Sequence, residues 1–293
     1  YAEWVLGVVP HEAKRYVVTA RDNATGTILA VNPYNAEFAP RVAFASLLVS
    51  AGTRSPEWTS DRARFLGRGG SVAAPQAVRE IRPLEDVAGE GYVPCAAFRL
   101  PAELAPGATL EVVFCLGQAA TRDDALALVR KYQDPAAVDA ALEQVRTFWR
   151  ETLGRVQVET PSPALDLMLN GWLAYQNLAC RVWARSAFYQ SGGAYGFRDQ
   201  LQDASALIYL DPEITRRQIV LHAGHQFAEG DVLHWWHPPV DKGIRTRFSD
   251  DLLWLPYITA GYIRHTGDAG VLDAMAPYVV ARQLNAGEGE VFL

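Results

Sequence analysis

Near Asp134-Pro135 the spacing of apolar residues along this 293-residue chain changes from two to about 3.6. A chain that switches period once, near its middle, folds as a β part followed by an α part. Before the switch, short runs rich in Val, Thr, Phe and Ala alternate with Gly, Pro, Asn and Asp: Trp4 to Val9, Arg15 to Ala20, Thr27 to Val31, Arg41 to Ser50, Tyr92 to Leu100 and Thr109 to Leu116. These are strand signals at sandwich-like spacing, with turns at 21–26 and at Pro106-Gly107.

After the switch, Asp134 suits an N-cap and Pro135 the first helical position. Val138, Leu142, Val145 and Trp149 make an apolar stripe that Gly154 stops. Ser162-Pro163 opens a long helix carrying Leu165, Leu169, Trp172, Leu173 and Leu178, and further helices are expected over 200–210, 212–227, 250–266 and 268–284. Repeated helical pairs joined by long loops suggest an α/α toroid with a central pocket. Closure of six hairpins needs twelve helices, so the ring is expected to be incomplete. The fold class is α+β multidomain: an antiparallel β-sandwich over 1–125, a helical linker over 126–158 and part of an (α/α)6 barrel over 159–293.

Composition narrows the partners. A net charge of −6, with both signs interspersed, provides no basic stripe for a phosphate backbone, so nucleic acid is not expected. No apolar run reaches the roughly 18 residues of a membrane span, and no basic region followed by an apolar segment opens the chain. The chain reads as soluble and cytoplasmic. Cys95, Cys115 and Cys180 are far apart in apolar surroundings and read as reduced core thiols.

Chemistry concentrates between Phe188 and Trp254, where glycines, aromatics, carboxylates, arginines and histidines crowd together. Carboxylates and guanidinium forks pair with sugar hydroxyls, and indole rings cover the apolar faces of the sugar, so this is the composition of a sugar site. Three blocks carry it: residues 192–203, from Gly192-Gly193-Ala194-Tyr195-Gly196 through Phe197-Arg198-Asp199-Gln200 to Asp203; residues 229–239, with His234-Trp235-Trp236-His237; and residues 245–254, with Arg245-Thr246-Arg247-Phe248-Ser249-Asp250-Asp251.

These blocks resemble signature segments of the inverting β-glucoside phosphorylases, the family of cellobiose and chitobiose phosphorylases. The likeness is greatest to 1,2-β-oligoglucan phosphorylases and to the C-terminal region of cyclic β-1,2-glucan synthases. Asn32-Pro33-Tyr34-Asn35 and Phe65-Leu66-Gly67-Arg68 resemble the same subgroup. The resemblance implies a sandwich, a helical linker and an (α/α)6 barrel. It also implies cleavage of a β-glucoside by inorganic phosphate, with inversion to an α-sugar 1-phosphate. Phosphate is then a co-substrate, no cofactor is needed, and one carboxylic acid suffices because the nucleophile is already an anion. The partners implied are a β-glucan oligosaccharide and phosphate, with a homodimer or association with the rest of the enzyme as a further expectation.

In the family the general acid is the Asp of a Trp-Asn-Asp block, which does not occur here. Catalytic residues are therefore expected outside these residues, and the chain reads as truncated at both ends. By the resemblance Arg198 and Asp199 hold the glucosyl hydroxyls. Asp203, Tyr195, Trp235, His237, Arg247 and Asp251 complete the expected substrate-binding set.

Alternatives remain open at several positions. Arg198 and Asp199 could be a surface pair capping a helix, and Asp203 could orient Arg198 or touch sugar. In an extended segment Trp235 and Trp236 point oppositely, so one stacks on sugar and the other fills the core. Arg245 and Arg247 would share a side, binding phosphate or pairing with Asp250 and Asp251. His234 and His237 lack a third ligand at metal spacing, so no metal is expected. At the level of the whole chain, the rival readings are a non-catalytic β-glucan-binding or dimerisation fragment and an inverting hydrolase that uses Asp250 or Asp251.

Overall fold

A computed structural model describes residues 1–7, 10–34, 40–49, 55–80, 83–185, 193–238 and 240–293. Gly192, Asn35 and Pro239, all singled out above, lie outside the described residues. The chain divides into two compact units, Tyr1–Glu143 and Gln144–Leu293.

In the first unit, β1 (Ala2–Glu3), β6 (Pro94–Arg99) and β5 (Glu57–Asp61) form one antiparallel sheet in the order β1-β6-β5. A second sheet has the order β2-β3-β4-β7, with β2 Val18–Asp22, β3 Thr27–Val31, β4 Val42–Val49 and β7 Val112–Ala119. Trp4, Trp58 and Ala96 meet Ile28, Ala30, Ala43 and Ala45 between the sheets, as alternation along sandwich strands requires. The opposite face of the four-stranded sheet is covered by α1 (Arg122–Lys131), whose Ala125, Leu126 and Val129 pack on Leu29, Val42 and Phe44. Thr121 caps α1 by accepting from the Asp124 N–H. Of the expected strand at Trp4 to Val9, Val8 and Val9 lie outside the described residues and Trp4 to Gly7 fall beyond β1; Trp4 still donates its N–H to the Pro94 carbonyl, and its ring joins the core. β5 was not among the expected strands, and α1 begins ahead of the helical linker expected from 126.

α2 (Pro135–Leu153) forms as the capping signals predict: the Ala136 N–H donates to Asp134 Oδ1, and the Gly154 N–H closes on Arg150. In the second unit a helical run over 163–183 widens at Met168–Trp172 and Asn177–Trp183. It is followed by α3 (Phe197–Leu207), α4 (Pro212–Ala223) and α5 (Asp251–Thr266). α3 packs on both α4 and α5, around Leu201, Ile208, Ile219, Ile258 and Tyr262. The expected helix over 268–284 does not form. After a single turn at Ala269–Asp273 the chain runs extended, because Pro277 cannot continue a helical ladder, and the Val279 N–H pairs instead with the Gln226 carbonyl.

A four-stranded antiparallel sheet appears where loops were expected, in the order β11-β10-β9-β8, with β8 Tyr195–Gly196, β9 Leu233–His237, β10 Lys242–Thr246 and β11 Glu290–Phe292. Among the described residues no helix is long and apolar enough to cross a membrane.

Candidate functional site

Two helix starts and one strand build the candidate site. Gly196 caps α3, donating its N–H to Oε1 of the buried Gln200. A Cβ at Gly196 would stand 2.4 Å from Asp199 Oδ2, so any side chain there would push the carboxylate aside. The glycine therefore sets where the Asp199 carboxylate lies. Next to it Arg198 donates through Nη1 to Asp250 Oδ2 at 2.9 Å and lies 5.2 Å over the Trp254 ring. Both members of this ion pair are half exposed, so water and salt screen it and its value is geometric. Asp199 is exposed and, among the described residues, has neither a hydrogen bond nor an ion pair.

Asp250 and Asp251 begin α5, where the helix dipole tolerates negative charge. Asp251 is buried and holds His234 Nδ1 at 2.7 Å through Oδ2. Burial pushes its carboxyl above the ordinary range, His234 pulls it down, and the charges of Asp250 and Asp199 push it up again. The His234 ring tilts against Phe248, 4.7 Å between centroids.

Alternation along β9 separates the remaining aromatics, as expected for adjacent indoles. Trp236 is fully buried, stacked on His225 at 3.8 Å and on Tyr195 at 5.6 Å. Trp235 lies half-buried on the opposite face with His237 and Phe292. Gly243 on β10 permits the close approach, because a Cβ there would be 2.2 Å from the Trp235 carbonyl oxygen and 2.9 Å from Trp236 Cβ.

Several residues singled out above are engaged otherwise. Tyr195 stacks on Trp236 and carries the Arg185 guanidinium 4.9 Å over its ring, so packing takes up the ring. Asp203 accepts from Arg181 Nε at 2.8 Å and does not orient Arg198. Burial nevertheless pushes its carboxyl up. Arg245 and Arg247 both reach the 282–288 segment and line one cavity with Glu229, Asp231 and Gln283. Arg245 is buried over Phe227 and bonds Asp231, Glu229 and the Arg282 carbonyl, while Arg247 is exposed and donates to the carbonyls of Leu284, Asn285 and Glu288. Neither pairs with Asp250 or Asp251, whose partners are Arg198 and His234.

His234, and not His237, therefore meets the Arg198 cluster through Asp251. The signal was in the alternation: residues 234 and 236 share a strand face, and Trp236 marks that face as the one turned to the helices. Among the described residues no three His, Cys, Asp or Glu side chains gather as metal ligands.

An exposed carboxylate beside a stacked guanidinium and a held imidazole suits pairing with several hydroxyls at once. The family model for the glycosyl hydrolase 94 superfamily catalytic domain matches residues 148–292, and that for the glycosyl hydrolase 94 supersandwich domain matches 1–135. The chain belongs to the glycosyl hydrolase 94 family. Across its whole length it is 40% identical to the cyclic beta-(1,2)-glucan synthase NdvB of Rhizobium meliloti, of which it spans 10%. Over 85% of its length it is 32% identical to an N,N'-diacetylchitobiose phosphorylase of Vibrio proteolyticus, spanning 34% of that protein. A solabiose phosphorylase of Paenibacillus borealis matches 83% of the chain at 24% identity, with 30% of that protein covered. The chain thus spans between 10% and 34% of the length of these curated relatives. The sandwich and the helical unit correspond to the two domains of the glycosyl hydrolase 94 pattern, in the same order.

Proposed function

We propose that this glycosyl hydrolase 94 chain supplies the sandwich and the glucosyl-holding part of a phosphorylase acting on β-1,2-linked glucooligosaccharides. One phosphate oxygen bonds to the anomeric carbon as the C1–O glucosidic bond breaks, the leaving oxygen takes a proton from a carboxylic acid, and α-glucose 1-phosphate results. Asp199 and Arg198 hold glucosyl hydroxyls while the proton donor comes from residues other than these. The carrying observation is the Asp199 carboxylate, without a partner among the described residues, beside Arg198, which Asp250 and Trp254 hold in place. The preference for a β-1,2 linkage is supported by the whole-length identity to the glucan synthase, which exceeds that to the chitobiose and solabiose enzymes.

The test is made on the complete protein that carries these residues, incubated with β-1,2-glucooligosaccharides with and without inorganic phosphate. α-Glucose 1-phosphate is expected only when phosphate is present, and Asp199→Asn is expected to abolish its formation. Glucose release without phosphate would favour a hydrolase, and binding with neither product would favour a glucan-binding role.

A further inference from the structure

His234 has one ring nitrogen bound and one to spare. Nδ1 sits 2.7 Å from Asp251 Oδ2, so the buried carboxylate accepts the Nδ1–H and fixes both tautomer and ring plane. Among the described residues Nε2 has no hydrogen-bond partner, and the side chain is 37% exposed. Phe248 braces the ring from one side.

The charges around this imidazole are unequal. Asp199, Asp250 and Asp251 contribute three carboxylates, and Asp250 already occupies Arg198. Such a field repels an anion and leaves the neutral, many-donor surface of a sugar as the ligand whose hydrogen-bonding capacity matches.

We propose that His234 is a specificity-determining residue, hydrogen-bonding through Nε2 a hydroxyl of the sugar seated beside Asp199, and that the surrounding carboxylates keep phosphate out of this half of the site. The proposal rests on the reading of a glucoside site. It adds which nitrogen contacts the sugar and where the co-substrate does not bind.

Two amides separate the two ends of the ring. The Asn amide nitrogen stands near the position of Nδ1, and the Gln amide reaches that of Nε2, where its oxygen accepts a hydroxyl proton as the bare ring nitrogen does. His234→Asn therefore keeps the bond to Asp251 and loses the outward contact, while His234→Gln keeps the outward reach. Calorimetry on the complete protein would use sophorose, the β-1,2-linked glucose disaccharide, and inorganic phosphate as separate probes.

The expected result is sophorose binding weakened about tenfold or more in His234→Asn and largely recovered in His234→Gln. Phosphate binding should be equal in all three proteins. Sophorose affinity unchanged in His234→Asn, or phosphate displacing sophorose competitively, would overturn the proposal. Either could happen while α-glucose 1-phosphate still forms, which would leave the phosphorylase reading standing. Sophorose binding that obeys the pattern without any phosphorolysis would keep the proposal and reject the phosphorylase. A wild-type protein that binds no sophorose would reject both.

Discussion

Replacing Arg245 by Met removes the most heavily bonded buried cation of the second unit while roughly preserving side-chain volume. Its side chain is 2% exposed and donates twice to Asp231, at 2.5 and 2.6 Å, to Glu229 at 3.1 Å and to the Arg282 carbonyl at 2.9 Å. Breaking a fully buried pair typically costs 3–5 kcal/mol because the partner's charge is stranded. Here Asp231 and Glu229 remain 32% and 40% exposed, so both recover water and the stranding term shrinks. What remains is the carbonyl of Arg282 left unpaired, the cation over Phe227 at 3.7 Å, and the tie between β10 and the 229–231 turn. Together these come to about 2–4 kcal/mol. In urea titration, the transition of the second unit should move to lower denaturant by that amount with little change in slope. Arg245→Lys, which keeps the charge and loses the fork, should fall between Met and wild type. A Met variant within about 0.5 kcal/mol of wild type would show that desolvation cancels the network, and the reasoning would fail.

Gly196→Ala introduces a Cβ 2.4 Å from Asp199 Oδ2 on a backbone that alanine otherwise accepts, so sugar affinity should drop about tenfold or more while the melting temperature moves by only a degree or two. Parallel calorimetry and thermal melts check this. His222 is fully buried, and burial pushes its imidazole down from 6.5 to about 4. The unfolded chain therefore binds the proton first: the stability is intact above about pH 6.5, falls by roughly 3 kcal/mol toward pH 4, and levels below. His222→Gln should flatten that slope in denaturation measured across pH. The Cys95 thiol, buried among core residues and near Asp61 and Glu3, is pushed up to about 12, so iodoacetamide at pH 8 should leave it unmodified until the protein unfolds, while half-buried Cys115 and Cys180 react sooner.

Capping residues and strict alternation were legible from the chain because they act within a few residues. α2 begins and ends where Asp134-Pro135 and Gly154 place it, and the adjacent indoles Trp235 and Trp236 take opposite faces of β9. The segment over 268–284 misled because its apolar spacing is helical, yet Pro277 and the pairing of Val279 with Gln226 outweigh that spacing. At the site, Arg198 and Asp199 stood out through their block, whereas His234 did not. Its place beside them comes from Asp251, 17 residues away, which no local pattern connects to it.

The order of the two folds and the concentration of carboxylates, guanidinium groups and indoles between residues 192 and 254 are properties of the sequence alone, since period and composition are local quantities. Which charges pair belongs to the tertiary structure. Only the approach of α3, α5 and β9 hands Asp250 to Arg198 and Asp251 to His234, sends Arg245 to Asp231, and leaves Asp199 open. Ion pairs and hydrogen bonds form over about 3 Å in space, and the chain distances they bridge here run from 14 to 52 residues.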